Sequence, residues 1–237
     1  MRLLRGLSIV PSLRQLLALH PSLLLVDSCS TRVEAALWHG DLNSPPVTAS
    51  QDGEASDALP AAVSNVLAAA GRKIASLDAV VFCEGPGSVL GIRLAAASLR
   101  AWRAINPSLA LYSYQSLPLL ASAHPGFVIL ADARRDSWHA VQPENPSQIQ
   151  RLPTADLAPL ALAHPLGSPA TFRRWSTPPA NVELHPLAYS AAALLSAAPD
   201  TPFFTAAPEP EAYLTEAPSY VTWTPQIHQA PGTRPTA

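Results

Sequence analysis

The sequence predicts an α/β protein built as two related lobes. Three observations carry this. Residues 77–103 read as a buried strand, a glycine-rich turn and a helix. Apolar runs of strand length alternate with helical segments through residues 23–123. A strand ending in aspartate, a polar turn and a second strand then occur twice, at Asp27 and at Asp132, about a hundred residues apart.

The strand–turn–helix comes first because the chain is organised around it. Residues 79–83 are an apolar run between Asp78 and the turn Glu84-Gly85-Pro86-Gly87. Ser88 is placed to cap the helix 88–104 with its hydroxyl. Ile92, Ala95, Leu99 and Trp102 recur at helical spacing, while Arg93, Arg100 and Arg103 lie on another face. Such a turn can aim backbone N–H groups and a helix dipole at an anion, or simply reverse the chain. Neither a P-loop nor a dinucleotide fingerprint is present.

The other elements follow in order. Residues 1–22 carry Arg2, Arg5 and Arg14, no acid and scattered leucines, and read as a weakly amphipathic extension outside the fold. Pro11 and Arg14 interrupt any signal-peptide core. Residues 23–26 and 33–38 form a hairpin across Asp27-Ser28-Cys29-Ser30. A weak third strand spans 47–50. Residues 57–70 are a helix with Leu59, Ala62, Val63, Val66, Leu67 and Ala70 on one face, Pro60 in its first turn and Gly71 as its stop. Residues 109–114 are a strand and 116–123 a short helix. Strands at 127–131 and 138–141 flank Asp132-Ala133-Arg134-Arg135-Asp136. Beyond Gln142 prolines crowd out periodicity: only a helix at 189–198, a strand at 203–205 and an ordered loop at 208–214 are legible. Residues 224–237 predict a disordered tail. The organisation is an extension 1–22, a first lobe 23–125, a second, degenerate lobe 126–223 and the tail.

Composition excludes several classes. A net charge of −2 over 237 residues gives no field for nucleic acid or membrane. No apolar run reaches the length of a membrane-spanning helix. Two cysteines make neither a disulfide framework nor a four-cysteine zinc site, and a cytoplasmic setting is the default. The 7 histidines include no pair three to five residues apart, so no metal ligand set is expected.

Four groupings could carry chemistry. Ser88 lies in Gly87-Ser88-Val89-Leu90-Gly91, one residue too long for a nucleophile elbow. Asp27 and Asp132 each end a buried strand, where a carboxylate either holds a metal and its water or caps its own turn. Cys29 and Cys83 both follow buried strands and approach each other if those strands are neighbours, as a structural thiol pair rather than a redox centre. The Ala-rich helices 57–70 and 88–104 have wide apolar stripes that pack on the sheet or face a partner.

These features resemble, in order, those of a known family. Asp27-Ser28-Cys29-Ser30 is similar to its Asp-Thr-Ser-Thr turn, and Gly85-Pro86-Gly87-Ser88-Val89-Leu90-Gly91-Ile92-Arg93 to its Gly-Pro-Gly-Ser-Phe-Thr-Gly-Leu-Arg signature. Asp132-Ala133-Arg134 resembles its second-lobe start, and Ala212-Tyr213-Leu214 its closing motif. The family is TsaB (YeaZ), the Gcp-like partner protein of bacterial tRNA threonylcarbamoyladenosine synthesis. The resemblance implies actin-like/ribonuclease-H-like tandem lobes, the second reduced. It implies a cytoplasmic, non-catalytic scaffold that docks a TsaD-like carbamoyltransferase acting on adenosine 37 of tRNA. Leu59, Val63, Val66, Val89, Ile92, Arg93, Ala96 and Arg100 would face the partner. Asp27, Gly85, Gly87, Ser88 and Asp132 would be a vestigial nucleotide site. No metal or cofactor is expected on this chain alone, with ATP and Mg at the level of the complex. A TsaE-like ATPase and a second copy are further expected partners, and tRNA is met only through the complex. Val89-Leu90 in place of Phe-Thr, Glu54-Ala55-Ser56-Asp57 in place of His-Ser-Glu, and the Pro-rich second lobe depart from the pattern. The competing reading is an actin-like ATPase or kinase using Asp27 and Asp132, for which Leu166-Gly167-Ser168-Pro169 is a poor second phosphate loop. A diverged self-dimer is the third.

Overall fold

Two sheets of matching topology and three layers of helices make up the fold. The structure, a computed structural model, describes residues 10–213. In chain order the elements are α1 (Leu13–Leu19), β1 (Ser22–Asp27), β2 (Arg32–His39), β3 (Val47–Asp52), α2 (Ala55–Ala69), β4 (Ala79–Gly85), α3 (Val89–Ile105), β5 (Ala110–Gln115) and α4 (Ser116–Ala123). There follow β6 (Val128–Asp132), β7 (Ser137–Val141), β8 (Ile149–Pro153), α5 (Leu157–Ala163), β9 (Leu166–Pro169), β10 (Leu184–Leu187), α6 (Ala191–Ala197) and β11 (Thr205–Ala206).

The first sheet runs β11-β5-β4-β1-β2-β3 and the second β10-β9-β6-β7-β8. In each, a three-stranded antiparallel meander is extended by two parallel strands: β1 pairs parallel to β4 and β4 to β5, as β6 does to β9 and β9 to β10. Asp27 and Asp132 end the equivalent strands β1 and β6. The doubled aspartate of the sequence is therefore a doubled fold, that of tandem ribonuclease-H-like lobes.

Alternation explains the layers. Along β1, Leu24 and Val26 join Val80 and Phe82 of β4 in a core closed by α2 and α3. Leu23 and Leu25 join Val81 and Trp38 in the core on the other face, closed by α1, α4 and α6. A strand buried on both faces reads as a continuous apolar run, as residues 23–26 do. Leu117 and Leu120 of α4 reach the second sheet at Ile129 and Val141. Leu157 of α5 covers its outer face with Val128, Leu130 and Trp138. One helical layer thus serves both sheets.

The second lobe is reduced at a definite place. The β4-to-β5 connection holds the long helix α3, whereas residues 170–183 between β9 and β10 hold none.

Several expectations change. Residues 1–22 are expected outside the fold, yet they supply α1, which is bound into it. Ser12 and Gln15 form a reciprocal capping box, and Leu13, Leu16 and Leu17 are buried. The Arg14 amide donates to Pro199 O at 3.0 Å and its guanidinium pairs with Asp200. β11 returns to the first sheet from far along the chain, so residues 126–223 are not confined to the second lobe. α2 begins at Ala55, one residue after Glu54, which leaves Pro60 in the second turn rather than the first. β8, α5, β9 and β10 carried no legible pattern: each is four to seven residues long, too short to show a period. Leu214 and the predicted tail 224–237 lie outside the described residues.

Leu16→Ala is expected to lower stability by about 2–5 kcal/mol, the usual cost of a buried leucine cavity. Urea unfolding reads it, and unchanged stability would show α1 to be dispensable.

Candidate functional site

β1 and β4 run parallel with Val26 beside Phe82, so their following turns leave the same sheet edge together. The two turns are locked backbone to backbone. The Ser88 amide donates to Cys29 O at 2.7 Å, and the Ser28 hydroxyl to Gly91 O at 2.7 Å. Ser116 Oγ secures the Pro86 carbonyl at 2.7 Å. A Cβ on Gly87 would overlap Cys29 O, and one on Gly91 would overlap Ser28 O. The glycines of the signature are there for this approach. Ser88 occupies the N-cap position of α3, but its hydroxyl makes no capping bond. Its N–H faces the protein rather than a vacant anion cradle.

Asp27 is 1% exposed. Oδ2 accepts from the hydroxyls of Tyr114 at 2.5 Å and Tyr189 at 2.7 Å, and Oδ1 from the Cys29 amide at 2.9 Å. Burial and the nearby Asp27 charge push both tyrosines well above the ordinary phenol value, so they remain donors. Cys29 and Cys83 are buried on the same side, and the thiols meet, as neighbouring strands require. Burial raises both thiols. Nearby, Glu34 accepts from Ser190 Oγ and the Ala191 amide, each at 2.7 Å, tying β2 to the start of α6. Burial raises its carboxyl, against the pull of those two donors.

Asp132 behaves differently. It is half-buried and accepts from the backbone amides of Arg134 at 2.6 Å, Trp175 at 2.7 Å and Ser176. Burial pushes its carboxyl up, but the amides of Ser176, Arg134 and Trp175 outweigh this and hold it below the usual carboxylate range. The helix-free segment 170–183 thus closes on the Asp132 turn. That turn places Arg134, Arg135 and Asp136 successively at φ 60°, 51° and 54°, a left-handed run unusual for residues with side chains. The Arg134 guanidinium stacks 4.3 Å over the Trp175 ring.

Between the turns lies a cleft of about 260 Å³, lined among others by Ser30, Gly87, Ser88, Asp132, Arg134 and Trp175. Of the five residues expected as a vestigial nucleotide site, it brings together Gly87, Ser88 and Asp132. Asp27 and Gly85 do not line it. The Asp27 carboxylate faces inward to its tyrosines, which separates it from the cleft.

The expected partner face is also corrected. Leu59, Val63, Val66, Ile92 and Ala96 are buried, the first three and Ala96 under α2 and α3 against the first sheet, and Ile92 on its opposite face. Val89, Arg93 and Arg100 are exposed. They are joined by Leu90, 70% exposed, and Ile105, 66% exposed, which the sequence reading did not select. Arg100 and Arg103 also grip the carbonyls of Pro210 and Pro208 at 2.6 and 2.5 Å.

A model of the family described as TsaD, tRNA N6-adenosine threonylcarbamoyltransferase, matches residues 18–156. The chain belongs to that family. Two solved structures share the fold, and they are named for YeaZ, that is, TsaB. One, from Pseudomonas aeruginosa, is described as an uncharacterized protein with similarity to the peptidase YeaZ. It is 23% identical, with a TM-score of 0.55, over 75% of this chain and 89% of its own. The other is YeaZ from Pseudomonas aeruginosa, 21% identical, with a TM-score of 0.53, over 75% and 90%. No curated protein matches the chain. The family is one of tRNA threonylcarbamoyladenosine biosynthesis, and within it the chain shares its fold with the two YeaZ structures. No helix among the described residues is long and apolar enough to cross a membrane.

Gly87→Ala is expected to cost about 1–3 kcal/mol by overpacking against Cys29 O, read as a lower midpoint in thermal unfolding; an unchanged midpoint would refute the backbone lock. Asp132 predicts a pH effect. A carboxyl held below its unfolded value adds stability above that value and loses it as pH falls through the folded one. The stability gap between wild type and Asp132→Asn is expected to shrink from about pH 6 to about pH 3. A constant gap in urea unfolding would contradict the amide account.

Proposed function

We propose that the protein is a non-catalytic scaffold that docks a TsaD-like carbamoyltransferase for threonylcarbamoylation of adenosine 37 in tRNA. The observation that carries the reading is the outer face of α3. Val89 at 51% and Leu90 at 70% exposure at its first turn, and Ile105 at 66% at its last residue, leave apolar side chains in water at both ends of the helix, with Arg93 and Arg100 exposed between them. Exposed apolar side chains with no inward contact are what a partner would cover, and arginine is enriched at interfaces. Asp27 supports the same reading, because one of the two strand-end carboxylates that an actin-like ATPase would use is turned away from the cleft. ATP and Mg belong to the complex, and tRNA is met through the catalytic subunit. A TsaE-like ATPase joins at that level.

The test is calorimetric titration of the full chain with a TsaD-family catalytic subunit. Leu90→Glu is exposed and should leave the unfolding midpoint unchanged while weakening the complex by about tenfold or more. Ala96 is buried and would not serve as such a probe. Absence of a complex at about micromolar concentration, or wild-type affinity in both Leu90→Glu and Ile105→Glu, would sink the proposal. Tight ATP binding by the lone chain would favour the ATPase reading, and a dimer lost in Leu90→Glu would favour a second copy on this face.

A further inference from the structure

The inward side of the Asp27 turn holds a group of side chains that docking does not use. A carboxylate oxygen of Asp27 and the Sγ atoms of Cys29 and Cys83 all lie within 4.8 Å of one another, and all three residues are buried. The end of β1, the turn after it and β4 each supply one of them. Both cysteines are free thiols.

We propose that Asp27, Cys29 and Cys83 form a buried site for a thiophilic divalent cation of the zinc class. A tetrahedral ion about 2.3 Å from sulfur and about 2.0–2.2 Å from oxygen spaces its donors roughly 3.5–3.8 Å apart, so each donor pair closes by roughly 1.3 Å or less. A carboxylate has about four lone-pair positions. Asp27 spends three on Tyr114, Tyr189 and the Cys29 amide, which leaves one for a metal. The same three donors fix the carboxylate's orientation, the part that hydrogen-bonded outer groups play in metal sites. The Tyr189 hydroxyl, 3.7 Å from Cys29 Sγ, is an oxygen at hand for a fourth ligand.

The balance closes without another reactant. Each thiol gives its proton to solvent as its sulfur–metal bond forms, so two protons leave for one cation bound. The two thiolates neutralise the divalent charge, and the Asp27 charge keeps its present donors. Two sulfurs with one oxygen exclude magnesium and calcium, which take oxygen ligands throughout, and favour zinc. The ion would join the Asp27 turn to β4, at the junction the backbone lock already closes.

The test uses the full chain, refolded from denaturant under reducing conditions with cobalt(II) as a spectroscopic probe and, separately, with zinc. About one cobalt per chain is expected, with thiolate-to-cobalt charge-transfer absorption that zinc bleaches. Zinc at a hundredfold excess over its Kd should raise the unfolding midpoint by about 5 °C or more. Cys83→Ser and Cys83→Ala should show neither effect. A folded wild-type chain without the absorption band overturns the proposal even if both variants fail to fold. An undiminished band in the Cys83 variants overturns it as well.

Discussion

Everything near the sheet edge depends on the approach of two backbones. The carbonyls of Ser28 and Cys29 sit where side chains at Gly91 and Gly87 would otherwise be, and the Ser88 amide closes the contact. Because this amide is spent inside the protein, the glycine turn works as a joint. It aims α3 along the first sheet, and that direction determines which of its side chains meet water. A loop of the same composition elsewhere would cradle an anion; here the first turn of the chain has taken the anion's place.

The two lobes repeat one topology with opposite electrostatic outcomes. In the first, the strand-end carboxylate is drawn into the core and matched by two phenols. In the second, the equivalent carboxylate remains at the cleft, matched by the Arg134 amide of its own turn and by the Trp175 and Ser176 amides of the segment that replaces a helix. A buried charge needs donors to offset its desolvation. Both solutions meet that need, yet only the second leaves the aspartate beside solvent.

Much of this was legible in the sequence, and the gaps have physical causes. The doubled strand-aspartate-turn-strand unit, the glycine turn and both long helices could be read because each is set by local period and turn chemistry. The partners of Asp27 could not be: Tyr114 and Tyr189 lie 87 and 162 residues away. The stripe Leu59-Val63-Val66 looks the same in sequence whether it meets a sheet or a protein, and in the fold it meets the sheet. The signal that separates the two was present in α3. Leu90 and Ile105 fall off the buried series Gly91, Ile92, Ala95, Ala96 and Leu99, so they are apolar residues with no inward duty.

The ends of the described chain meet. Ser12 bridges Pro202, the Phe204 amide donates to Pro11 O, and β11 pairs with β5. This matters during synthesis, which delivers the chain from its N-terminus. The edge of β5 and the groove beside α1 are made early, but their partners emerge only after the whole second lobe has been translated. The first lobe therefore cannot be completed as an independent nascent domain. Its last seam closes when residues 199–206 leave the ribosome, so a truncation that removes those residues would undo a structure that begins near Pro11.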